Sequence, residues 1–270
     1  MTAIALAGLV HVYPEGTRAL DGVDLEIPAG QRLAIIGQNG SGKTTLVRHL
    51  NGLLRPTEGR VLLDGRDIRS LRVAHLARQV GLVFQNPDRQ IFAGRVRAEV
   101  AFGPRNMGVR GAELDRVVGD ALTAVGLAGQ ADTNPYDLGY SRRKLLALAS
   151  ILAMRTPVVV LDEPTTGQDA RGVARVQAIV AALTAEGRTV IAISHDMEFV
   201  AEQFPRVVVM RDGRIVDDGP PGAVFAPERV GLLASTGLVP PPAARIGARL
   251  GLGATPTEHA LLAALRTHRR

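Results

Sequence analysis

The sequence predicts an α/β fold with a mainly parallel core sheet, an antiparallel β layer, an inserted helical subdomain and a short C-terminal helical extension. Short apolar strands alternate with helical patterns along much of the chain, which favours a layered α/β core. A glycine-rich loop stands between one such strand and a helix, at residues 37–45. The pattern becomes mostly helical at about residues 86–155, so we expect a helical subdomain inserted into the core.

The strands can be placed in chain order. Residues 3–13 and 23–28 are typical of an antiparallel pair, joined through the turn at residues 14–16. Short apolar runs then predict buried strands of the parallel sheet. These runs are residues 32–37, 80–84, 158–162 and 189–194.

The helical segments have their own signals. Apolar residues recur at helical spacing between residues 114 and 125, and Gly126 supplies a stop. Near the C-terminus, Thr255, Pro256 at the first helical position and Glu258 three residues after the cap predict a capping box and a final helix.

The chain therefore divides into a main domain at residues 1–225 and an accessory helical segment at residues 226–270. The accessory segment is set apart by a proline-rich stretch that precedes its last helix.

Composition limits the function classes. A hydrophobic content of 46% excludes a disordered or fibrous chain, and the absence of cysteine excludes disulfides and thiolate metal sites. The N-terminal stretch lacks the basic region of a signal peptide, and the apolar runs are shorter than the roughly 20 residues that span a bilayer, so we expect a cytoplasmic location. The net charge of +6 is compatible with nucleic acid, an anionic membrane surface or a phosphorylated ligand.

The strongest motif is Gly-Gln-Asn-Gly-Ser-Gly-Lys-Thr-Thr, which follows a predicted strand and precedes a predicted helix. Its glycines let backbone N–H groups point at phosphate oxygens, and the helix N-terminus adds positive charge. In this pattern Lys43 bridges the terminal phosphates and the Thr44 hydroxyl binds Mg²⁺. The predicted nucleotide contacts are Gly37, Gln38, Asn39, Gly40, Ser41, Gly42, Lys43, Thr44 and Thr45.

Polar side chains follow other predicted strands. Asp162 and Glu163 end the strand at 158–162, where Asp162 is placed to bind Mg²⁺ and Glu163 to accept a proton from an attacking water. His195 follows another core strand, where it is either a structural residue or a contact to the γ-phosphate. Gln85, at a third strand end, is suited to orienting water or contacting Mg²⁺. Tyr13 either stacks on adenine or packs as a half-buried strand residue.

Together these motifs, in this order and spacing, resemble the nucleotide-binding subunit of an ABC transporter. The loop at 37–44 corresponds to Walker A and residues 158–163 to Walker B, and the resemblance covers about residues 3–225. It implies a P-loop NTPase fold of the ABC ATPase type, with ATP and Mg²⁺ as ligands and ATP hydrolysis as the activity. In that interpretation Lys43, Gln85, Glu163 and His195 are the catalytic residues, and Thr44, Gln85 and Asp162 hold the metal.

A closer resemblance rests on residues 83–92 and 99–108, which are similar to the ATPase subunits of energy-coupling factor importers for vitamins and transition-metal ions. It implies a peripheral protein at the cytoplasmic face of the cell membrane. It also implies three partners: a second ATPase subunit, related or identical, a membrane coupling subunit and a membrane substrate-binding subunit. The groove near residues 85–92 would then receive the coupling helices.

The family also carries a Leu-Ser-Gly-Gly-Gln signature, which closes over the nucleotide of the opposite subunit. Here the aligned residues are Leu138, Gly139, Tyr140, Ser141 and Arg142, so the serine, both glycines and the glutamine are replaced. The helix N-terminus is kept, so we interpret the stretch as a modified signature, whose nucleotide contacts are Gly139, Tyr140, Ser141 and Arg142.

Two alternatives stay open at this point. One is an ABC-type ATPase that acts on DNA, although the chain has no heptad run for the long coiled coils of such proteins and no nucleic-acid reader motif. We therefore expect no nucleic-acid partner. The other is a regulatory subunit that only binds ATP, which the altered signature favours and the intact Glu163 and His195 disfavour.

Overall fold

The computed structural model describes residues 3–268, so residues 1, 2, 269 and 270 of the two predicted domains lie outside the described residues. The strands are β1 Ile4–Val12, β2 Arg18–Ile27, β3 Arg32–Ile36, β4 Glu58–Leu63, β5 Arg66–Asp67, β6 Val80–Val83, β7 Val158–Asp162, β8 Thr189–Ile193, β9 Arg206–Arg211 and β10 Arg214–Gly219. The α-helices are α1 Lys43–Leu50, α2 Val73–Leu76, α3 Val96–Asn106, α4 Gly111–Ala124, α5 Tyr140–Ala153, α6 Ala170–Ala185, α7 Met197–Gln203, α8 Pro221–Val224, α9 Val230–Ser235, α10 Pro242–Arg249 and α11 Glu258–His268.

A six-stranded sheet in the order β10-β9-β3-β8-β7-β6 forms the centre of the fold. The four strands predicted for the parallel sheet are all in it, as β3, β6, β7 and β8. All neighbours from β9 to β6 are parallel, and β10 is antiparallel to β9. A mainly parallel core sheet is therefore confirmed.

The antiparallel layer is a second sheet in the order β2-β1-β4-β5. Its first two strands pair as predicted, with Ile4 opposite Ile27 and Leu6 opposite Leu25. The sequence interpretation did not include β4 and β5, which extend this sheet beyond β1.

The sequence interpretation missed two β-hairpins, and the turn of each one consists of an Asp-Gly pair. Asp64 and Gly65 connect β4 to β5 with φ of 49° and 75°, and Asp212 and Gly213 connect β9 to β10 with φ of 50° and 75°. Positive φ at both central residues is the geometry of a type I′ hairpin turn, for which Asp-Gly is a preferred pair. The signal was thus present in the sequence.

The central sheet separates two hydrophobic cores because side chains alternate along its strands. On β3, Leu33 and Ile35 pack into the core shared with the antiparallel sheet and α1. Ala34 and Ile36, on the opposite face, pack into the core that includes the helical subdomain and α6. The parallel strands are therefore covered on both faces, which explains their unbroken apolar sequences.

The segment between β6 and β7 is helical, as predicted, and contains α3, α4 and α5. These three helices pack against one another through apolar residues such as Val100, Val118 and Leu146. The predicted stop after α4 is also present: α4 ends at Ala124, and Gly126 takes a left-handed φ of 69°.

The C-terminal segment contains α9, α10 and α11, but the predicted capping box is wrong. Helix α11 begins at Glu258, and the Thr257 hydroxyl accepts a hydrogen bond from the Ala260 N–H at 3.2 Å, which makes Thr257 the cap. Pro256 therefore precedes the helix. Thr255 is buried instead, and its hydroxyl donates to the Ala243 carbonyl at 2.9 Å, so it attaches the start of this helix to α10.

Candidate active site

The predicted site residues meet because of the strand order. The strands β3, β8, β7 and β6 are consecutive neighbours in the sheet and run parallel, so their carboxyl ends lie along one edge. The loop at 37–42 follows β3, His195 follows β8, Asp162 ends β7 and Gln85 follows β6. Most of these residues line one surface pocket. Its lining includes Tyr13, Asn39, Gly40, Ser41, Gly42, Lys43, Thr44, Thr45, Gln85, Asp162, Glu163 and His195.

The glycine-rich loop has a backbone that larger residues could not adopt. Gly37, Gly40 and Gly42 have φ of 152°, 83° and 98°, in the range that side chains rarely tolerate. A Cβ at Gly37 would collide with the Met210 carbonyl oxygen, and one at Gly42 would lie 2.5 Å from the Ala19 carbonyl oxygen. Helix α1 begins directly after this loop, so its N-terminal N–H groups face the pocket side of the loop.

Lys43 lies under the loop and is buried. Its ammonium donates to the carbonyl oxygens of Gly37 at 2.5 Å and Gln38 at 2.8 Å, and to the Ser41 hydroxyl at 3.3 Å. Burial lowers its pKa, whereas the nearby carboxylates of Glu163 and Asp162 oppose that shift. The lysine is thus held by the loop itself.

Asp162 and Thr44 form an oxygen-rich corner of the pocket. The Thr44 hydroxyl donates to Asp162 Oδ2 at 3.2 Å, and Asp162 Oδ1 is buried without a hydrogen-bond partner among residues 3–268. Burial raises the pKa of Asp162 to about 6, which the Thr44 hydrogen bond partly opposes. A carboxylate with a free oxygen, a hydroxyl and the nearby Gln85 amide are the hard oxygen donors that Mg²⁺ prefers, so the residues fit such an ion.

Glu163 lies beside His195 in the pocket lining. Glu163 Oε1 is 3.3 Å from His195 Nε2, and Oε2 accepts hydrogen bonds from the His195 N–H at 3.3 Å and the Thr166 hydroxyl at 3.2 Å. The carboxylate is buried and the imidazole is 42% exposed. Glu163 Oε1 has no hydrogen-bond partner among residues 3–268, so this buried oxygen is free to accept a hydrogen bond or a proton from a water in the pocket.

Tyr13 and Thr45 lie at the margin of the same pocket. The Tyr13 hydroxyl is 3.0 Å from the Thr45 hydroxyl, and the Tyr13 ring packs edge-to-face on His11 with centroids 4.6 Å apart. The tyrosine is half-buried and lines the pocket, so both sequence interpretations are compatible with its position.

The modified signature does not line this pocket. Gly139 precedes α5 as its N-cap, and Tyr140 and Arg142 are exposed outside the pocket lining. The Ser141 hydroxyl donates to Gln168 Oε1 at 2.7 Å, and the Gln168 amide donates back to the Ser141 carbonyl at 3.0 Å. The Ser141 hydroxyl is therefore engaged within the chain.

Sequence reasoning missed where Lys144 goes. Lys144 follows the signature and two arginines near the start of α5. Cationic side chains near the end of a helix are ordinarily expected to be exposed to solvent. The structure instead buries Lys144, and its ammonium donates to the Glu163 carbonyl and, at 3.0 Å, to the Thr166 carbonyl. Burial lowers its pKa. The available signal was composition, since Lys43 and Lys144 are the only lysines of the chain.

Comparison with known proteins decides the family. A family profile described as ABC transporter matches residues 20–166, which is more than half of the chain. The chain belongs to the ABC transporter ATP-binding family. Its fold is accordingly that of a P-loop ABC ATPase, and its enzymatic class is ATPase.

Relatives and a solved structure add detail to this family assignment. The ABC ATPase chain is 42% identical over 228 residues to the energy-coupling factor transporter ATP-binding protein EcfA of Methanocaldococcus jannaschii, covering 84% of this chain and 82% of the relative. A putative ABC transporter ATP-binding protein of Methanosarcina acetivorans is 43% identical over 244 residues, 90% of this chain. The chain spans only 39% of that relative's length.

Among solved structures, cbiO1 from Clostridium perfringens, part of the ABC transporter complex cbiONQ, has a TM-score of 0.76 and 34% identity. The match covers 92% of this chain and 98% of that one. The comparisons therefore support the energy-coupling factor resemblance that the motifs implied.

Asp162→Asn is expected to stabilise the nucleotide-free ABC ATPase at pH 7.5. The pKa of about 6 in the folded state lies above the ordinary aspartate value of 3.8, so folding favours the protonated carboxyl. The stability that this protonation gives is lost as the pH rises from about 4 to 6. Asparagine removes the buried charge, so the free energy of unfolding should rise by about 3 kcal/mol at pH 7.5 and little at pH 4. Urea denaturation in EDTA at both values measures this, with Asp137→Asn as an exposed control. An equal effect at both pH values would contradict the assignment.

Proposed function

We propose that this ABC ATPase powers a membrane importer of the energy-coupling factor type for vitamins or transition-metal ions. One observation carries the proposal. The pocket that contains Lys43, Asp162 and Glu163 adjoins a second, exposed groove, and Gln85 lines both. The similarity to EcfA and to cbiO1 supports the choice of importer class. Residues 1–225 would form the ATPase domain and residues 226–270 the accessory segment.

ATP and Mg²⁺ would bind across the pocket. The backbone of residues 37–42 and the ammonium of Lys43 would hold the phosphates, and Tyr13 would pack against the adenine. The oxygens of Thr44, Asp162 and Gln85 would hold the metal ion. When bound, the ion neutralises negative charge on the phosphate oxygens.

Glu163 would act as the general base. Its carboxylate accepts a proton from the attacking water, while His195 and Thr166 fix its orientation through the contacts described above. His195, whose imidazole is exposed beside the carboxylate, would contact the γ-phosphate. Gln85 lines the same pocket and would orient the water.

A second ATPase subunit would complete the site. Because Gly139, Tyr140 and Arg142 are exposed and do not line the chain's own pocket, they would serve the nucleotide of a partner. That partner, related or identical to this chain, would supply its own signature in return. Membrane coupling and substrate-binding subunits would complete the importer.

The groove beside Gln85 would receive the membrane coupling subunit. Its lining includes the apolar Leu53 and Phe84, the cationic Arg48 and Arg89, and the polar Asn86. Thr44, Gln85 and Asp162 line both this groove and the nucleotide pocket. Next to it in sequence, Phe92 is 60% exposed and packs edge-to-face on Phe102, which is 49% exposed, with centroids 4.7 Å apart. Two adjoining exposed aromatic rings are unusual on a monomer and typical of an interaction surface.

Arg89→Glu is expected to weaken assembly with the membrane subunits severalfold, because Arg89 is exposed in the groove. The affinity for ATP should change less than about twofold, because Arg89 does not line the nucleotide pocket. Co-purification of the intact complex measures assembly, and equilibrium dialysis measures nucleotide binding. Arg60→Glu, a charge reversal on β4 of the other sheet, is the control. Equal loss of assembly and nucleotide binding would count against the groove.

The membrane location would be peripheral, at the cytoplasmic face. Among the described residues, none of the helices combines the length and apolar character needed to cross a bilayer. The same part of the chain has no helix longer than the 16 residues of α6, which disfavours an ATPase that acts on DNA through long coiled coils.

Purification of the complex from its native membrane tests the importer proposal as a whole. Co-purification of a second ATPase, a coupling protein and a small membrane substrate-binding protein would support it. Two large membrane domains without a separate substrate-binding subunit, or bound DNA, would contradict it.

A further inference from the structure

Lys144 contacts the main chain of Glu163, the residue proposed above as the general base. The lysine lies in the second turn of α5, is 4% exposed, and its ammonium donates to the carbonyl oxygens of Glu163 and Thr166. An ammonium has three donors and no acceptor, so it can hold two carbonyl oxygens in one fixed arrangement. These carbonyls flank the turn that leaves β7.

The backbone at Glu163 needs such support. Glu163 has a left-handed φ of 53°, which is uncommon for a residue with a long side chain and costs free energy unless the surroundings impose it. Its N–H donates to the Ile193 carbonyl at 2.9 Å, which ties one side of the residue to β8. The Lys144 ammonium holds the carbonyl on the other side.

The position of the Glu163 carboxylate depends on this turn. The carboxylate contacts His195 and the hydroxyl of Thr166, whose own carbonyl also accepts from Lys144. Release of the two carbonyls would let the turn relax and move the carboxylate relative to the pocket. A shift of about 1 Å at a reacting group can lower a rate about 100-fold.

The same helix carries the modified signature. Ser141 and Gln168 exchange two hydrogen bonds, so α5 is attached to the loop after β7 at a second place, three residues before Lys144 along the helix. Contact of the signature with a partner's nucleotide would therefore act on the helix that holds Glu163.

We propose that Lys144 is a positioning residue, which holds the main chain of Glu163 and thereby links the signature helix of this chain to the general base of its own pocket. The inference rests on the proposed function of Glu163. It predicts that Lys144 influences hydrolysis through Glu163 and not through nucleotide binding.

Kinetics of Lys144→Met, in the intact ATPase pair, test the inference. Methionine fills a similar volume without donors, so we expect kcat to fall about tenfold, with KM for ATP and the binding of a non-hydrolysable ATP analogue changed less than about twofold. Lys144→Arg, which keeps donors and charge, should recover part of the rate. Ser150→Ala is the matched control: Ser150 is a buried polar residue on the same helix that contacts Ala147 and Gln90 and has no hydrogen bond to the Walker B loop.

The double variant Lys144→Met with Glu163→Gln distinguishes positioning from general damage. If Lys144 acts through Glu163, the double variant should hydrolyse ATP no more slowly than Glu163→Gln alone. A further tenfold loss in the double variant, or weakened analogue binding in Lys144→Met, would overturn the inference. If Glu163→Gln itself hydrolyses at the parental rate, the proposed role of Glu163 fails first, and the two failures are thus separable.

Discussion

Glu163→Gln is expected to lower kcat for ATP hydrolysis by about 10²- to 10⁴-fold in a complete transporter, equivalent to roughly 3 to 5 kcal/mol of barrier. Glutamine has nearly the same shape and can still accept the hydrogen bonds from Thr166 and the His195 N–H. It cannot accept a proton from water at neutral pH. The turnover rate under saturating ATP checks the prediction.

Nucleotide binding should survive the same change. The proposed phosphate contacts are Lys43 and the loop at 37–42, and the Lys43 ammonium donates its hydrogen bonds within that loop and not to Glu163. The variant should therefore bind ATP and remain as a closed pair of ATPase subunits. Size-exclusion chromatography with trapped nucleotide measures this state. Glu228→Gln, an exposed glutamate in the C-terminal segment, should retain the parental rate. Hydrolysis at the parental rate in Glu163→Gln would remove Glu163 from the base role.

Restoring residues 139–142 to Ser-Gly-Gly-Gln is expected to raise the hydrolysis rate of this chain paired with itself tenfold or more, about 1.4 kcal/mol of barrier. Tyr140 is 42% exposed at the helix N-terminus and is bulky where a glycine backbone would approach phosphate. The Ser141 hydroxyl is bonded to Gln168, so it does not replace the missing serine. Arg142 adds charge but not the geometry of the family motif.

If restoration acts on hydrolysis in the proposed site, the rate of the restored chain should still depend on Glu163. Adding Glu163→Gln to the restored chain should remove the gain, which serves as the control. If instead the parental chain alone hydrolyses ATP briskly and gains nothing from restoration, the stretch at 138–142 is a working variant that needs no specialised partner. A partner with the standard signature should raise the rate of the parental chain, which distinguishes a pair of related subunits from a pair of identical ones.

The phosphate loop and the carboxylates could be predicted from sequence because their chemistry is local. Gly37, Gly40 and Gly42 are required by backbone angles within one loop, and Lys43 and Thr44 have fixed spacing from them. Asp162 ends an unbroken apolar run, which indicates a buried strand and therefore a position at the carboxyl edge of the sheet. The parallel strands followed from the same apolar runs.

Contacts between distant segments were decided only by the tertiary structure. Whether Thr255 or Thr257 caps α11 depended on the burial of Thr255 against α10, and no local pattern specifies that packing. From sequence alone, a cationic side chain is expected to be exposed to solvent, because burying a charge costs free energy unless partners compensate for it. Lys144 is compensated by two carbonyl oxygens about 20 residues away along the chain, and only the packing of α5 against the loop after β7 brings them together.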